Sequence, residues 1–142
     1  MIYLDASYIA RLYLEDPGWE QVRELAARAL VACCIHGRAE VIAAFHRKLR
    51  EGVFMPVHYR QVLEQFEIDC EQSAYRWLPL SVAVTARLSK AYEDLPKTTF
   101  LRASDTTHLA CAAESGLREI YTNDQRLLAA APHFRLRGVN VI

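Results

Sequence analysis

The chain of 142 residues has no apolar run near the ~20 residues needed to cross a bilayer. That excludes a membrane-spanning helix. It has no basic start followed by a long apolar stretch, because Asp5 interrupts the first apolar run. A secretory leader is therefore not expected, and a cytoplasmic location is. There is no excess of either charge, with 17 basic and 17 acidic residues. This argues against nucleic-acid binding through a strong overall positive field, while leaving local basic patches open. Internal repeats, low-complexity segments and Pro/Gly-rich linkers are all missing. The four cysteines, Cys33, Cys34, Cys70 and Cys111, lack paired metal-ligand spacing. Cys33 and Cys34 are neighbours in an expected strand and point to opposite faces. They read as buried free thiols of a reducing compartment. His36, His46, His58, His108 and His133 are scattered and make no zinc signature. A length of 142 residues fits one domain, residues 1–142, that buries roughly two thirds of its unfolded surface without a disulfide. The composition, 52% hydrophobic and 24% charged, is ordinary for a globular protein.

What is present is an alternation of strand and helix signals, which predicts an α/β layer fold. Ile2-Tyr3-Leu4 reads as a buried strand that delivers Asp5 at its C-terminal end. Residues 7–14 read as a short helix. A second helix over 17–29 has Asp16 as its expected cap and Pro17 in its first turn. Residues 30–35 form a continuous apolar run, as in a strand covered on both faces. Helices are expected over 38–50, 56–74, 81–94, 104–115 and 124–131. Gly52 and Gly116 are the expected stops of the first and fourth of these. Strands are expected over 77–80, 119–122 and 139–142, with Pro79 placing the first of them at a sheet edge. Right-handed crossovers then give a parallel sheet with helices on both faces.

Four acids fall at strand exits or helix starts. Asp5 follows the first strand, and Asp124 follows Glu119-Ile120-Tyr121-Thr122. Glu40 lies near the start of the helix after the second strand. Asp105 follows Ser104, the expected cap of its helix. Each has a plain structural alternative: Asp5 and Asp124 suit caps, and Glu40 and Asp105 suit the helix dipole. His108, three residues past Asp105, suits a packed or hydrogen-bonded histidine better than a ligand. Ser7 and Thr122 stand two residues from Asp5 and Asp124, where each hydroxyl can orient a carboxylate or water or bond the local backbone. In an open parallel sheet, ligands sit beyond the carboxyl ends of the strands. Acids gathered there repel, and a hard dication such as Mg²⁺ or Mn²⁺ relieves this with oxygen ligands and retained waters. Such an ion activates water against a phosphoryl group.

Four segments then resemble the motifs of PIN-domain ribonucleases, in order and across nearly the whole chain. They are Ile2-Tyr3-Leu4-Asp5-Ala6-Ser7, Arg38-Ala39-Glu40-Val41-Ile42-Ala43-Ala44-Phe45, Leu101-Arg102-Ala103-Ser104-Asp105-Thr106-Thr107-His108-Leu109-Ala110 and Tyr121-Thr122-Asn123-Asp124-Gln125-Arg126-Leu127. Thr106-Thr107 departs from the small or apolar pair usual after the third acid. Size and the last two motifs are most similar to VapC-type toxins of toxin–antitoxin pairs. The resemblance implies a three-layer α/β/α fold whose five-stranded parallel sheet has order 3-2-1-4-5. It implies Mg²⁺- or Mn²⁺-dependent cleavage of RNA, a homodimer and a small antitoxin partner. It also makes Asp5, Glu40, Asp105 and Asp124 the metal-binding catalytic acids. Arg47, Lys48, Arg50, Arg102 and Arg126 are candidates for phosphate contacts, with Arg47, Arg102 and Arg126 foremost. Phe54, Met55, Tyr59 and Phe66 are candidates for a partner surface. The rival reading is a module of the same fold that binds RNA or protein without cleaving. A metal-dependent phosphatase is disfavoured because Ser7 stands where one common class needs a second Asp.

Overall fold

The computed structural model describes residues 1–142. Five short strands form one parallel sheet: β1 (Ile2–Leu4), β2 (Val31–Cys34), β3 (Tyr75–Leu78), β4 (Glu119–Tyr121) and β5 (Arg137–Val139), in the order β3-β2-β1-β4-β5. Seven helices connect them: α1 (Ala6–Ala10), α2 (Trp19–Ala26), α3 (Ile35–Arg50), α4 (Pro56–Glu71), α5 (Val82–Asp94), α6 (Ala103–Glu114) and α7 (Gln125–Ala130). A 3₁₀ turn over Ala131–Phe134 follows α7. Helices α1, α3 and α4 pack together, as do α5, α6 and α7. With right-handed crossovers these make the two outer layers of a three-layer α/β/α fold. No helix is long and apolar enough to cross a membrane.

The sequence explains the layering. All four residues of β2 are buried, as suits an inner strand covered on both faces. Strand β3 buries Tyr75 and Leu78 at its ends and leaves Arg76 exposed and Trp77 half-buried between them, and Pro79 ends it at the sheet edge. Tyr3, Tyr8, Phe45 and Phe66 are the largest fully buried side chains. The rings of Tyr13, Phe45 and Phe66 meet edge to face at centroid separations of 5.5–5.6 Å, a favoured aromatic geometry.

Several boundaries differ from expectation. Helix α3 begins at Ile35, so Glu40 lies in its second turn rather than its first. Gly37 permits this: a Cβ there would lie 2.4 Å from Cys33 Sγ and 3.1 Å from His108. Helix α1 ends at Ala10, and tight turns carry the chain on to Leu14. Gly18, not Asp16, caps α2. Asp16 instead accepts a hydrogen bond from Lys48 at 2.6 Å, a tertiary pairing that outcompetes the local cap. Helix α4 stops at Glu71, and β3 begins at Tyr75 rather than residue 77. Ser104 lies inside α6; the Arg102 amide at its start is instead capped by the Asp105 carboxylate at 3.1 Å. Strand β5 spans Arg137–Val139, two residues earlier than expected, because Arg137 and Gly138 pair with Glu119 and Ile120. The cysteines are free, as expected.

Candidate active site

The strand order reverses between β1 and β4, which are paired through Tyr3–Ile120 and Leu4–Tyr121. Asp5 continues that pairing, its amide donating to Tyr121 O at 3.1 Å. Thr122 continues β4, its amide donating to Val139 O at 3.0 Å. The two exits therefore lie side by side, and Thr122 Oγ1 donates to Asp5 Oδ2 at 2.5 Å. The same Oγ1 accepts the Asp124 amide at 2.9 Å. One hydroxyl thus ties the two strand-exit acids together.

Asp5 does both things open to it. Its Oδ1 caps α1 by accepting the Tyr8 amide at 2.9 Å, and it also accepts Ser7 Oγ at 2.8 Å. Ser7 Oγ lies 3.2 Å from Asn123 Oδ1 as well, but one hydroxyl hydrogen serves the shorter contact. Asp124 caps α7 through the Arg126 amide at 2.7 Å. Asp105 accepts Arg102 Nε and Nη2, each at 3.2 Å, besides the Arg102 amide. Glu40 is gripped by two histidines: His108 Nε2 at 2.6 Å on Oε2 and His36 Nε2 at 3.4 Å on Oε1. His108 is buried, and its Nδ1 lies 2.8 Å from the Tyr3 hydroxyl, which itself accepts the Cys34 amide at 3.0 Å. This chain of contacts runs from β2 through β1 and α6 to α3.

Asp5, Glu40, Asp105 and Asp124 all line one cavity of about 380 Å³, together with Ser7, Asn123, His108, Arg11, Asp16, Arg47 and Arg102. Thr122 stands behind that wall, fully buried. Arg126 lies outside the lining, with its guanidinium 5.1 Å from the centre of the Phe100 ring. Lys48 is taken by Asp16, and Arg50 is exposed away from the cavity wall. Of the expected partner-surface residues, Phe54 and Phe66 are core, Tyr59 is half-buried and Met55 is exposed. Sequence reasoning missed Arg11 and Asn123 in the cavity wall and the hold of His36 on Glu40. Asn123 had a signal in its position beside Asp124, and His36 had one in its i, i+4 spacing from Glu40; Arg11 depends on how the helices pack. A larger cavity of about 630 Å³ lies between α5, α6 and the 3₁₀ turn, and holds none of the four acids.

Five carboxylates and three guanidiniums line the acid cavity, a formal excess of two negative charges. Burial raises the Asp5 carboxyl above its ordinary pKa, and the bonds from Thr122, Tyr8 and Ser7 offset this only in part. Burial also acts on Glu40, but the His108 hydrogen bond and the two histidines outweigh it and hold its pKa below the usual value. Burial opposes a charge on His108, yet its pKa stands above the ordinary histidine value. Cys33 beside it has a thiol pushed up by burial and is neutral near pH 7. The Glu40 carboxylate is therefore the partner that favours the imidazolium.

A carboxylate offers about four acceptor sites. One remains on Asp5 Oδ2 and one on Asp105 Oδ1, and Asp124 Oδ2 accepts no protein donor. Hard oxygen donors of this kind suit Mg²⁺ or Mn²⁺. No three His, Cys, Asp or Glu side chains are arranged to ligate one ion directly. The free carboxylate oxygens are what a dication that keeps several waters, as Mg²⁺ does, would draw on.

The PIN domain family model matches residues 2–132. No curated protein sequence matches the chain. Among solved structures, FitAcB from Neisseria gonorrhoeae is similar with a TM-score of 0.72 and 21% identity, covering 99% of this chain and 97% of that one. VapBC2 from Rickettsia felis, bound to a DNA fragment from its promoter, has a TM-score of 0.70 and 16% identity, with both chains covered completely. VapC20 of Mycobacterium tuberculosis, a toxin that cleaves the sarcin–ricin loop, has a TM-score of 0.66 and 18% identity, covering 92% of this chain and 95% of that one. At these identities the structures speak to the fold.

Proposed function

The chain belongs to the PIN-domain family, and on that premise we propose that it is a metal-dependent endoribonuclease, the toxin of a VapBC-type pair. The whole of residues 1–142 forms its single PIN domain. The observation that carries this reading is the convergence of Asp5, Glu40, Asp105 and Asp124 on one cavity from four separate elements. VapC20 is a toxin that cleaves an RNA loop, and the likeness in fold supports the same class of reaction here. The partners are an RNA substrate, a second copy of the chain and a small antitoxin. The site of action is the cytoplasm.

Asp5 and Asp105 would hold a Mg²⁺ or Mn²⁺ ion, with Glu40 and Asp124 holding its waters. The ion supplies charge stabilisation at the phosphoryl group and a water more acidic than bulk water. The protein's own groups do the rest. Thr122 and Ser7 fix the Asp5 carboxylate by donating to its two oxygens. His108 and His36 hold Glu40 toward the cavity. There a carboxylate can accept the proton of the attacking water, provided it lies within hydrogen-bond reach. Arg102, Arg47 and Arg11 offer cations to the RNA backbone, Arg102 by exchanging its hold on Asp105 for a phosphate.

The test is cleavage of a structured RNA by purified protein, with Mg²⁺ or Mn²⁺ and with chelator. Cleavage is expected with metal only, and Asp5→Asn is expected to abolish it with the fold intact. Wild-type rates in Asp5→Asn, or cleavage that survives chelation, would reject the mechanism. Calorimetric titration with Mn²⁺ separates the rival: binding is expected, and none at all would favour a non-catalytic module.

A further inference from the structure

Phe100 is an aromatic side chain left 65% exposed on the loop between α5 and α6. The loop is held in place around it. Tyr92 donates its hydroxyl hydrogen to Leu101 O at 3.2 Å or shares it with Thr106 Oγ1 at 2.7 Å, Leu101 is buried, and the Thr99 amide closes a turn on Pro96 O at 2.8 Å. The ring is thus displayed by an anchored backbone. The Arg126 guanidinium lies 5.1 Å from its centre, a cation–π distance.

The pair stands where two cavity walls meet. Arg102, two residues after Phe100, and Asp124, two residues before Arg126, both line the acid cavity. The residues next to Phe100 are polar, Lys97-Thr98-Thr99 before it and Arg102 just beyond Leu101. A protein-docking surface is expected to be a contiguous apolar patch. A single exposed ring set between cations is instead the pattern on which an unpaired base stacks while its phosphates are neutralised.

We propose that Phe100 and Arg126 form a stacking platform for one unpaired nucleobase beside the scissile phosphate. A paired base cannot present its face to the ring, so a single strand reports on the platform and a duplex does not. This rests on the ribonuclease reading and assigns two further residues to that same site.

The test uses a short labelled RNA of mixed sequence, single-stranded or annealed to its complement. Binding is followed by fluorescence anisotropy in the Asp5→Asn protein with Mn²⁺ and in the wild type with chelator. Adding Phe100→Ala is expected to weaken single-strand binding about tenfold and leave duplex binding unchanged, and Phe100→Trp is expected to restore it. Equal binding by the Ala variant, equal weakening on both RNAs, or no RNA binding by either background would overturn the platform. So would unchanged RNA binding with a shift in molecular mass, which would mark Phe100 as a contact between protein copies. Wild-type cleavage of the same single strand with metal keeps the two readings apart. Cleavage without any effect of Phe100→Ala sinks only the platform; Phe100-dependent binding without cleavage sinks only the nuclease.

Discussion

Two polar clusters lie inside the aromatic and aliphatic packing, and each is built around an aspartate. At the strand exits, Asp5 collects the Ser7, Tyr8 and Thr122 donors. On α4, half-buried Asp69 collects the Tyr13 hydroxyl at 2.5 Å and Gln65 Nε2 at 2.8 Å, with Tyr75 joined to Tyr13 at 2.6 Å. The difference is what each carboxylate faces. Asp69 is met by the Tyr13 hydroxyl, whose ring packs on Phe66 as the Tyr75 ring does, and it ties the turns after α1 and strand β3 to α4. Asp5 keeps acceptor capacity turned to a cavity that four other carboxylates share. Local hydrogen bonds alone do not separate a structural carboxylate from a chemical one; unspent acceptor sites facing a shared space do.

The strongest way to break that contrast is to neutralise the cavity acid. Asp5→Asn keeps Oδ1 for Ser7 and Tyr8 but removes the charge. Metal-assisted charge stabilisation is worth several kcal/mol, so an RNA cleavage rate about 10³-fold lower is expected. Stability should move the other way. The folded pKa of Asp5 is raised above its ordinary value of 3.8. Its contribution to stability is therefore full below that unfolded value and is lost as pH rises through the folded one. In metal-free buffer, Asp5→Asn should melt a few degrees above wild type at pH 7, with the gap closing in acid. Glu40 has the opposite sign, because its folded pKa is lowered. Its contribution is present above the unfolded value of 4.5 and fades as pH falls through the folded one. Glu40→Gln should melt below wild type at pH 7, and that gap should also close in acid. Melting curves from pH 3 to 8 that show the same sign for both variants would contradict the assignment.

His108 tests whether the cavity acids depend on support behind them. His108→Leu removes the donor to Glu40 and leaves the Tyr3 hydroxyl without its ring partner. Outer supports of this kind are worth about 10–100-fold in metal affinity or activity. His108→Gln should recover most of the loss, because its Nε2 can still donate to Glu40. If Leu and Gln behave alike in Mn²⁺ affinity, His108 only fills space. Tyr13→Phe is the counterpart in the other cluster. It should cost about 1 kcal/mol, at the low end because half-buried Asp69 can recruit water. Melting should fall about 3–4 °C for a chain of this size, with cleavage unchanged.

The same contrast marks what was legible in the chain. The acids were visible because each sits at a strand exit or helix start, positions that local pattern locates. The alternation of elements, the edge placement of the proline-flanked strand and the stops at Gly52 and Gly116 were visible too. Strand order came from the four-motif resemblance rather than from periodicity. The start of α3 was hidden because Ile35 continues the apolar run of the second strand and Gly37 disfavours a helix; only the close approach of Cys33 and His108 explains a glycine inside that helix. Asp16 reads as a cap until Lys48, distant in sequence, takes it. The grip of His108 on Glu40 joins α3 to α6 across 68 residues of chain, and no local pattern encodes it. Local signals therefore give the ends of elements, and packing decides which side chains those ends bring together.

The smallest expected effect asks how finely the Asp5 carboxylate must be held. Ser7 Oγ supplies one of three donors to it, and the Tyr8 amide already serves the same oxygen. Ser7→Ala removes the weaker restraint and leaves the helix cap and the Thr122 bridge in place. A neutral hydrogen bond contributes about 1 kcal/mol net, and only the part that sharpens the orientation of Asp5 reaches the reaction. Cleavage should therefore fall about threefold, with melting within about 2 °C of wild type. A loss approaching that of Asp5→Asn would mean that Ser7 touches the reacting water or phosphate itself, and that the chemical cluster extends one side chain further than its carboxylates.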